Sequence, residues 1–345
     1  MSEVGAPDYP SIPVTVLTGF LGSGKTTLLN HLLGHPAMEE TAVLINEFGD
    51  VGLDHLLVEQ VSEDVVLLNS GCVCCTVRGD LIDSLRELFI KRVRAEVPQF
   101  RRVLIETTGL ADPAPVIHTL MNDPVIAERY RMDGIVTTVD AVLGDGQLDS
   151  HEESLKQAAV ADRIVMTKTD LAQDDAVAVL SRRLGQINPG ATVIAAEHGR
   201  VEPDSLLDSG LYNPKTKAPD VSRWLNDEAY AKRHDHHHDV NRHDARIGSF
   251  CITATEPIPW PGFVTFLEAL LGTHGENVLR VKGVLNIAGE DRPVAVHGVQ
   301  HVFHPPTALP AWTGDDRRSR LVFITRDIGR KAIEDTFRAF IADAA

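Results

Sequence analysis

Short runs of β-branched and aliphatic residues alternate with amphipathic stretches through the first two-thirds of the chain. The runs at 14–17, 42–45, 65–68, 103–105, 135–139 and 164–166 are short and end at turn or polar residues, so each predicts a buried strand. The pair at 193–194 predicts one more. Between them, 26–33, 81–93, 154–161 and 176–187 carry apolar residues three and four apart, the spacing of a helix with one buried face. Strands without polar alternation, separated by helices, belong in a mostly parallel sheet covered on both faces. The rhythm breaks near Pro203, and 211–220 is turn-rich with Pro214 and Pro219. A new order then begins at Arg246: a strand over 247–255, a helix over 262–271, strands over 278–287, 294–302 and 320–325, and a last helix over 330–342. A chain of 345 residues is longer than one core usually supports. The expected division is an α/β domain over 10–215, a histidine-rich linker or insertion over 216–245, and a smaller α+β domain over 246–343.

The first strand runs into Gly19-Phe20-Leu21-Gly22-Ser23-Gly24-Lys25-Thr26, which matches G-x-x-x-x-G-K-[ST] between a strand and a helix, as that pattern requires. Glycines let successive N–H groups face phosphate oxygens, and the helix N-terminus adds its dipole. Lys25 would reach the β- and γ-phosphates, and the Thr26 hydroxyl would face Mg²⁺. The strand at 103–105 ends in Glu106, with Gly109 three positions on. A carboxylate at that tip suits the Mg²⁺ water shell, and Gly109 can bring its N–H to a γ-phosphate. After the strand at 164–166 comes Thr167-Lys168-Thr169-Asp170. Asp170 can accept from guanine N1–H and the 2-amino group, a pair adenine lacks, so guanine is favoured over adenine. The stem of Lys168 can lie over the base plane. Thr167 stands where Asn is usual, which removes one amide.

Charge and cysteine usage narrow the partners. A net charge of −16 disfavours nucleic acid and anionic membrane, both polyanions. Residues 1–11 contain Glu3 and Asp8 and no apolar leader core, and no apolar run approaches the roughly 20 residues of a membrane span. A soluble, cytoplasmic protein is expected. Of four cysteines, Cys72, Cys74 and Cys75 lie within four positions, too close to staple a fold. Thiolates are soft ligands suited to Zn²⁺, Cu⁺ or Co²⁺. Three on one loop suit an open, exchangeable site better than a closed structural one.

The ordered set G-F-L-G-S-G-K-T-T (19–27), N-E-F-G-D (46–50), G-C-V-C-C (71–75), E-T-T-G-L-A-D-P (106–113) and T-K-T-D (167–170) resembles the CobW-like GTPases. These are metallochaperones grouped with the nickel-insertion GTPases of hydrogenase and urease. The residues after Arg246 are similar to the CobW carboxy-terminal domain. The resemblance implies a SIMIBI-like P-loop NTPase fold, GTP and Mg²⁺ as nucleotide and cofactor, a thiophilic cargo metal with Zn²⁺ favoured over Co²⁺, and a client metalloprotein. It implies that Gly19, Gly22, Ser23, Gly24, Lys25, Thr26 and Thr27 hold phosphates and Mg²⁺, with Gly109 at the γ-phosphate. Glu47 and Asp50, in a first switch, would lie near Mg²⁺ or the attacking water, so Lys25, Glu47 and Glu106 would serve hydrolysis. Cys72, Cys74 and Cys75 would hold the cargo, and Thr167, Lys168 and Asp170 the base. Related GTPases often dimerise on nucleotide, so a nucleotide-dependent homodimer is a further expectation. No water-positioning Gln is evident, which predicts slow intrinsic turnover.

Two other readings remain open at this stage: cobalt handling in corrinoid assembly, and a metal-responsive regulatory GTP-binding protein. His234, His236, His237, His238 and His243, interleaved with Asp235, Asp239 and Asp244, suit weak binding of several divalent ions, or a solvated segment with no metal role. His297 and His301, four apart, are expected on one face of a strand, and Trp260 is expected to pack rather than to recognise a ligand.

Overall fold

The computed structural model describes residues 11–46, 66–70, 77–207, 247–312 and 315–342. In the first domain the elements are β1 (Ile12–Gly19), α1 (Lys25–Leu33), β2 (Thr41–Asn46), β3 (Val66–Ser70), α2 (Val77–Val93), β4 (Arg102–Glu106), α3 (Ala114–Asn122), α4 (Pro124–Arg129) and β5 (Tyr130–Asp140). They continue with α5 (Gly144–Ser150), α6 (Glu152–Val160), β6 (Arg163–Thr167), α7 (Asp174–Ile187), β7 (Thr192–Ala195) and α8 (Pro203–Leu206). Seven strands form one sheet in the order β3-β2-β4-β1-β5-β6-β7, and every pairing is parallel. The period of two explains why both faces are apolar. Val14, Val16, Val103 and Ile105 point into a core with Leu81, Leu85 and Ile117, while Leu17 and Leu104 point into another with Leu28, Leu29 and Val165. β1 is central, so the loop leaving its carboxyl end lies between the ends of β4 and β5.

The second domain contains β8 (Ile247–Ala254), α9 (Trp260–His274), β9 (Val278–Leu285), β10 (Val294–Val299), β11 (Val302–Phe303), β12 (Thr307–Ala308), β13 (Ser319–Arg326) and α10 (Arg330–Ala342). Its antiparallel sheet runs β11-β10-β9-β13-β8, with β12 on β10. Helices α9 and α10 cover one face through Phe263, Phe266 and Phe337, with Phe266 and Phe337 edge to face at 5.2 Å. The Trp260 ring lies 5.8 Å, centroid to centroid, from that of Phe263 and is partly exposed at the start of α9.

The other face of that sheet joins the first domain. Leu279 and Ile324 share a core with Leu155, Ala158, Leu180 and Leu184, and Val299 and Val302 enter the core around α3. The second domain keeps a core of its own between its sheet and helices, and the packing across the junction is an addition that leaves no local periodic signal in the sequence. One apolar run also divides. The expected strand over 294–302 breaks at Gln300 and His301, which turn β10 into β11. His297 and His301 consequently do not share a strand face: His297 is buried and stacks on His304 at 5.2 Å, whereas His301 is exposed at the turn.

At the junction, Asp162 accepts from Arg280 and from Lys282, the latter at 2.6 Å, beside the two stacked histidines. Burial, with Lys282 next to it, pushes His297 well below the ordinary imidazole range, and burial lowers His304 to about 4. Both rings are neutral in the folded protein under conditions where the unfolded chain would protonate them. Between the ordinary value of 6.5 and about 4 the unfolded state binds more protons, so stability falls as pH falls through that window. For His304 the loss is roughly 2–3 kcal/mol by pH 4. Chemical denaturation of the wild type and of His304→Gln across pH 7 to 4 checks this; equal slopes would remove His304 from the account.

Candidate nucleotide site

Gly19 ends β1 at φ 143°, and a Cβ there would sit 2.2 Å from Thr138 Oγ1 and 2.5 Å from the Thr138 carbonyl oxygen. Only glycine fits. The chain then turns through Gly22 (φ 71°) and Gly24 (φ 88°) into α1. Ser23 is fully buried, with its Oγ 2.6 Å from Thr138 Oγ1, which fixes the loop against β5. Helix α1 has no side-chain cap and no acidic residue in its first turn, so the amides at Lys25, Thr26 and Thr27 form an uncapped positive end. Lys25 folds back over the loop and donates from Nζ to the carbonyls of Gly19 at 2.9 Å and Phe20 at 3.2 Å. This places an ammonium beside a ring of backbone donors, which fits an oligophosphate.

Glu106 sits level with Leu17 at the carboxyl end of β4 and is buried. Thr107 locks the two strand ends together: its N–H donates to the Leu17 carbonyl at 2.9 Å and its hydroxyl to Thr18 Oγ1 at 2.8 Å. Gly109 lies against the phosphate loop so closely that a Cβ would be 2.7 Å from the Leu21 nitrogen. The segment 107–113 therefore rests on the phosphate loop itself, where a switch must be to sense a γ-phosphate.

Thr167 is buried, and its hydroxyl donates to the Ser23 carbonyl at 2.7 Å, which ties the 167–170 segment to the phosphate loop. Lys168 takes a left-handed φ of 57° and donates to the Gly22 carbonyl at 2.8 Å and to Asp140 at 2.6 Å. Asp140, buried at the end of β5, also caps the amides of Val142 and Leu143. Asp170 has a side chain 19% exposed, and both the backbone N–H and Nδ1 of His198 approach it at 3.4 Å.

Sequence reasoning did not find Asp140, His198, Thr138 or Gln157. An acidic residue at a parallel strand tip was available as a signal for Asp140, the same one that pointed to Glu106. No local signal marks His198 or Gln157, whose roles depend on contacts dozens of residues away. Glu47, Asp50, Cys72, Cys74, Cys75 and the histidines of 234–243 lie outside the described residues. Asn46 and Ser70 are register partners at the carboxyl ends of β2 and β3, and Ile45 pairs with Glu106. Both strands thus end at the edge that carries the phosphate loop. Among the described residues, no group of three or more His, Cys, Asp or Glu gathers to hold a metal. A cavity of about 310 Å³ lined by Arg92, Arg101, Arg102 and Arg131 opens at the opposite end of the strands and is separate from this site.

A parallel sheet with a G-x-x-x-x-G-K-T loop, a buried acidic strand tip and a T-K-x-D segment at one edge defines a P-loop nucleoside triphosphatase. The chain belongs to the CobW/HypB/UreG family, whose nucleotide-binding domain matches residues 13–195; the cobalamin synthesis protein cobW C-terminal domain matches residues 247–341. It is 32% identical to the zinc chaperone YjiA of Escherichia coli (strain K12), across 94% of this chain and 98% of that protein. It is 30% identical to the zinc chaperone CobW of Pseudomonas aeruginosa, across 99% and 95%. A crystal structure of Zn(II)-bound YjiA GTPase from E. coli matches with a TM-score of 0.73 at 29% identity, covering 96% of this chain and 99% of that one.

Proposed function

We propose that this chain is a GTP-hydrolysing metallochaperone that binds zinc through Cys72, Cys74 and Cys75 and transfers it to a client protein. The observation that carries this reading is topological. The phosphate loop, the 107–113 segment, the base segment and the strand ends that lead into 47–50 and 71–75 share one edge of one sheet. A change at the γ-phosphate can then reach the thiol segment over two strands. The zinc-chaperone names of relatives that align over nearly the full chain support zinc as cargo over cobalt.

The residues divide the work by position. The amides of 22–27 and the Lys25 ammonium hold the phosphates, and Thr26, Glu47, Asp50 and Glu106 are the oxygen ligands or water-shell partners suited to Mg²⁺. When bound, Mg²⁺ supplies charge neutralisation at the β- and γ-phosphates. Gly109 reports the γ-phosphate, and Lys168 and Asp170 select guanine. Among the described residues around 107–113, the carboxamide of Gln157 is engaged with the carbonyls of Gly109 and Ala111. That agrees with slow intrinsic hydrolysis and stimulation by a docked client.

Base choice gives one measurable consequence. Asp170→Asn keeps one acceptor and replaces the other with a donor, which suits the 2-oxo group of xanthine instead of the 2-amino group of guanine. GTP affinity is expected to fall about 100-fold or more, with xanthosine triphosphate gaining over it. Competition with a fluorescent nucleotide reads the result, and unchanged GTP preference would remove Asp170 from base recognition. The metal cycle is tested by titrating Zn²⁺ against a competing chelator with a nonhydrolysable GTP analogue or GDP bound. Tighter binding with the analogue, lost in Cys74→Ser, is expected; equal affinity in both states overturns the proposal.

A further inference from the structure

The turn between β10 and β11 is built against its residue preferences. Gln300 occupies φ 50°, a left-handed position that usually takes Gly, Asn or Asp. Its side chain leaves the second domain and donates from Nε2 to Asp112 Oδ2 at 3.1 Å. Asp112 belongs to the 106–113 motif, and its other oxygen accepts from the Ala114 N–H at 2.9 Å, so it fastens the end of the 107–113 segment to the start of α3. The turn cannot swing away alone. Val299 and Val302, on either side of it, are 1% and 2% exposed and packed in the same core as Ala114, Val116 and Ile117. His301 at the tip lies 5.9 Å, ring to ring, from His118 on α3.

A second grip comes from α6. Gln157 is fully buried and donates from Nε2 to the carbonyls of Gly109 at 3.2 Å and Ala111 at 2.9 Å. Its Oε1 is buried without a hydrogen-bond partner among the described residues, so a rearranged segment that offered it an N–H would be favoured. One residue earlier, Lys156 lies 3.8 Å from Asp112 and 3.1 Å from Glu152, and Glu152 pairs with Arg326 of β13. The segment that touches the phosphate loop at Gly109 is therefore held from two sides, and both holds continue into the second domain.

We infer that Gln300 is a positioning residue through which the second domain and the nucleotide site are coupled: the place of 107–113 sets the β10–β11 turn, and the turn sets 107–113. By linkage, anything bound to the second domain that moves this turn alters nucleotide affinity by the factor with which nucleotide alters its own binding. The inference rests on the nucleotide reading above and adds to it a path for client-dependent control.

Hydrogen exchange of the full chain with Mg²⁺ and either GDP or a nonhydrolysable GTP analogue tests it. In the wild type, segments 107–113 and 297–304 should both change between the two nucleotides. In Gln300→Ala the first should still respond and the second should not, with GTP turnover shifted about threefold or more at constant KM, the sign of a contact that acts beyond ground-state binding. Gln300→Glu combined with Asp112→Asn restores a donor–acceptor pair and should restore the response of 297–304, which a merely misfolded turn would not do. The inference is overturned if 297–304 ignores the nucleotide in the wild type while 107–113 responds, or if Gln300→Ala leaves its response intact. If fluorescent-nucleotide binding is absent altogether, the nucleotide reading fails first and the coupling falls with it.

Discussion

Lys25→Ala is expected to lower GTP turnover by about 100- to 1000-fold, the range seen when one preorganised donor is removed from a developing charge. Two losses combine. The ammonium no longer faces the β- and γ-phosphates, and the phosphate loop loses the tether that Nζ makes to the carbonyls of Gly19 and Phe20. The fold should survive, because Lys25 is only half-buried and the loop stays pinned at Ser23 to Thr138 and at Thr167 to the Ser23 carbonyl. Lys25→Arg keeps the charge but presents it on a larger, planar guanidinium in place of a compact ammonium, so it should recover affinity better than turnover. Single-turnover hydrolysis with thermal melting as a folding control decides the matter. Turnover within about fivefold of wild type in a folded Lys25→Ala protein would mean that the cradle works without its cation.

A phosphate loop is a local object: its glycines, lysine and flanking elements sit within a dozen residues, so pattern alone finds it. The same holds for the strands, since 14–17, 103–105 and 164–166 all lie inside observed β1, β4 and β6. What pattern misses is contact at a distance. Thr167 bonds through its hydroxyl to the Ser23 carbonyl, 144 residues away, a contact that no local pattern announces. Helices α3 and α4 have no counterpart in the sequence pattern, because Pro124 interrupts 114–129 and leaves two helices of nine and six residues, too short for a clear period. The β10–β11 turn carries Gln300 and His301, neither of them a turn signal, so an apolar run on both sides read as one strand.

The junction between the domains was equally hidden, and it carries the largest expected stability effect. Asp162, 4% exposed, precedes β6 and meets Arg280 and Lys282, more than a hundred residues downstream. Burial alone would raise its carboxyl, but Arg280 and Lys282 outweigh burial and hold it well below the ordinary range. Its Oδ2 also accepts from the Ile135 N–H at 2.9 Å. Asp162→Ala leaves two buried cations and one buried amide without that carboxylate, a loss of about 3–5 kcal/mol. Asp162→Asn keeps an acceptor for Ile135 yet still strands the cations, so it should be nearly as harmful.

The pH dependence separates the charge effect from a cavity. Burial and the Arg280 charge already lower Lys282 to about 8, against the raising influence of Asp162. Without Asp162 that lysine loses its proton at still lower pH, whereas the unfolded chain keeps it until near 10.5. Shedding a buried, uncompensated charge relieves the mutant, so its deficit relative to wild type should shrink between pH 7 and 9. A cavity would cost the same at both. Denaturant unfolding of wild type and Asp162→Ala at the two pH values gives the comparison, and a deficit independent of pH would assign the loss to packing instead of charge.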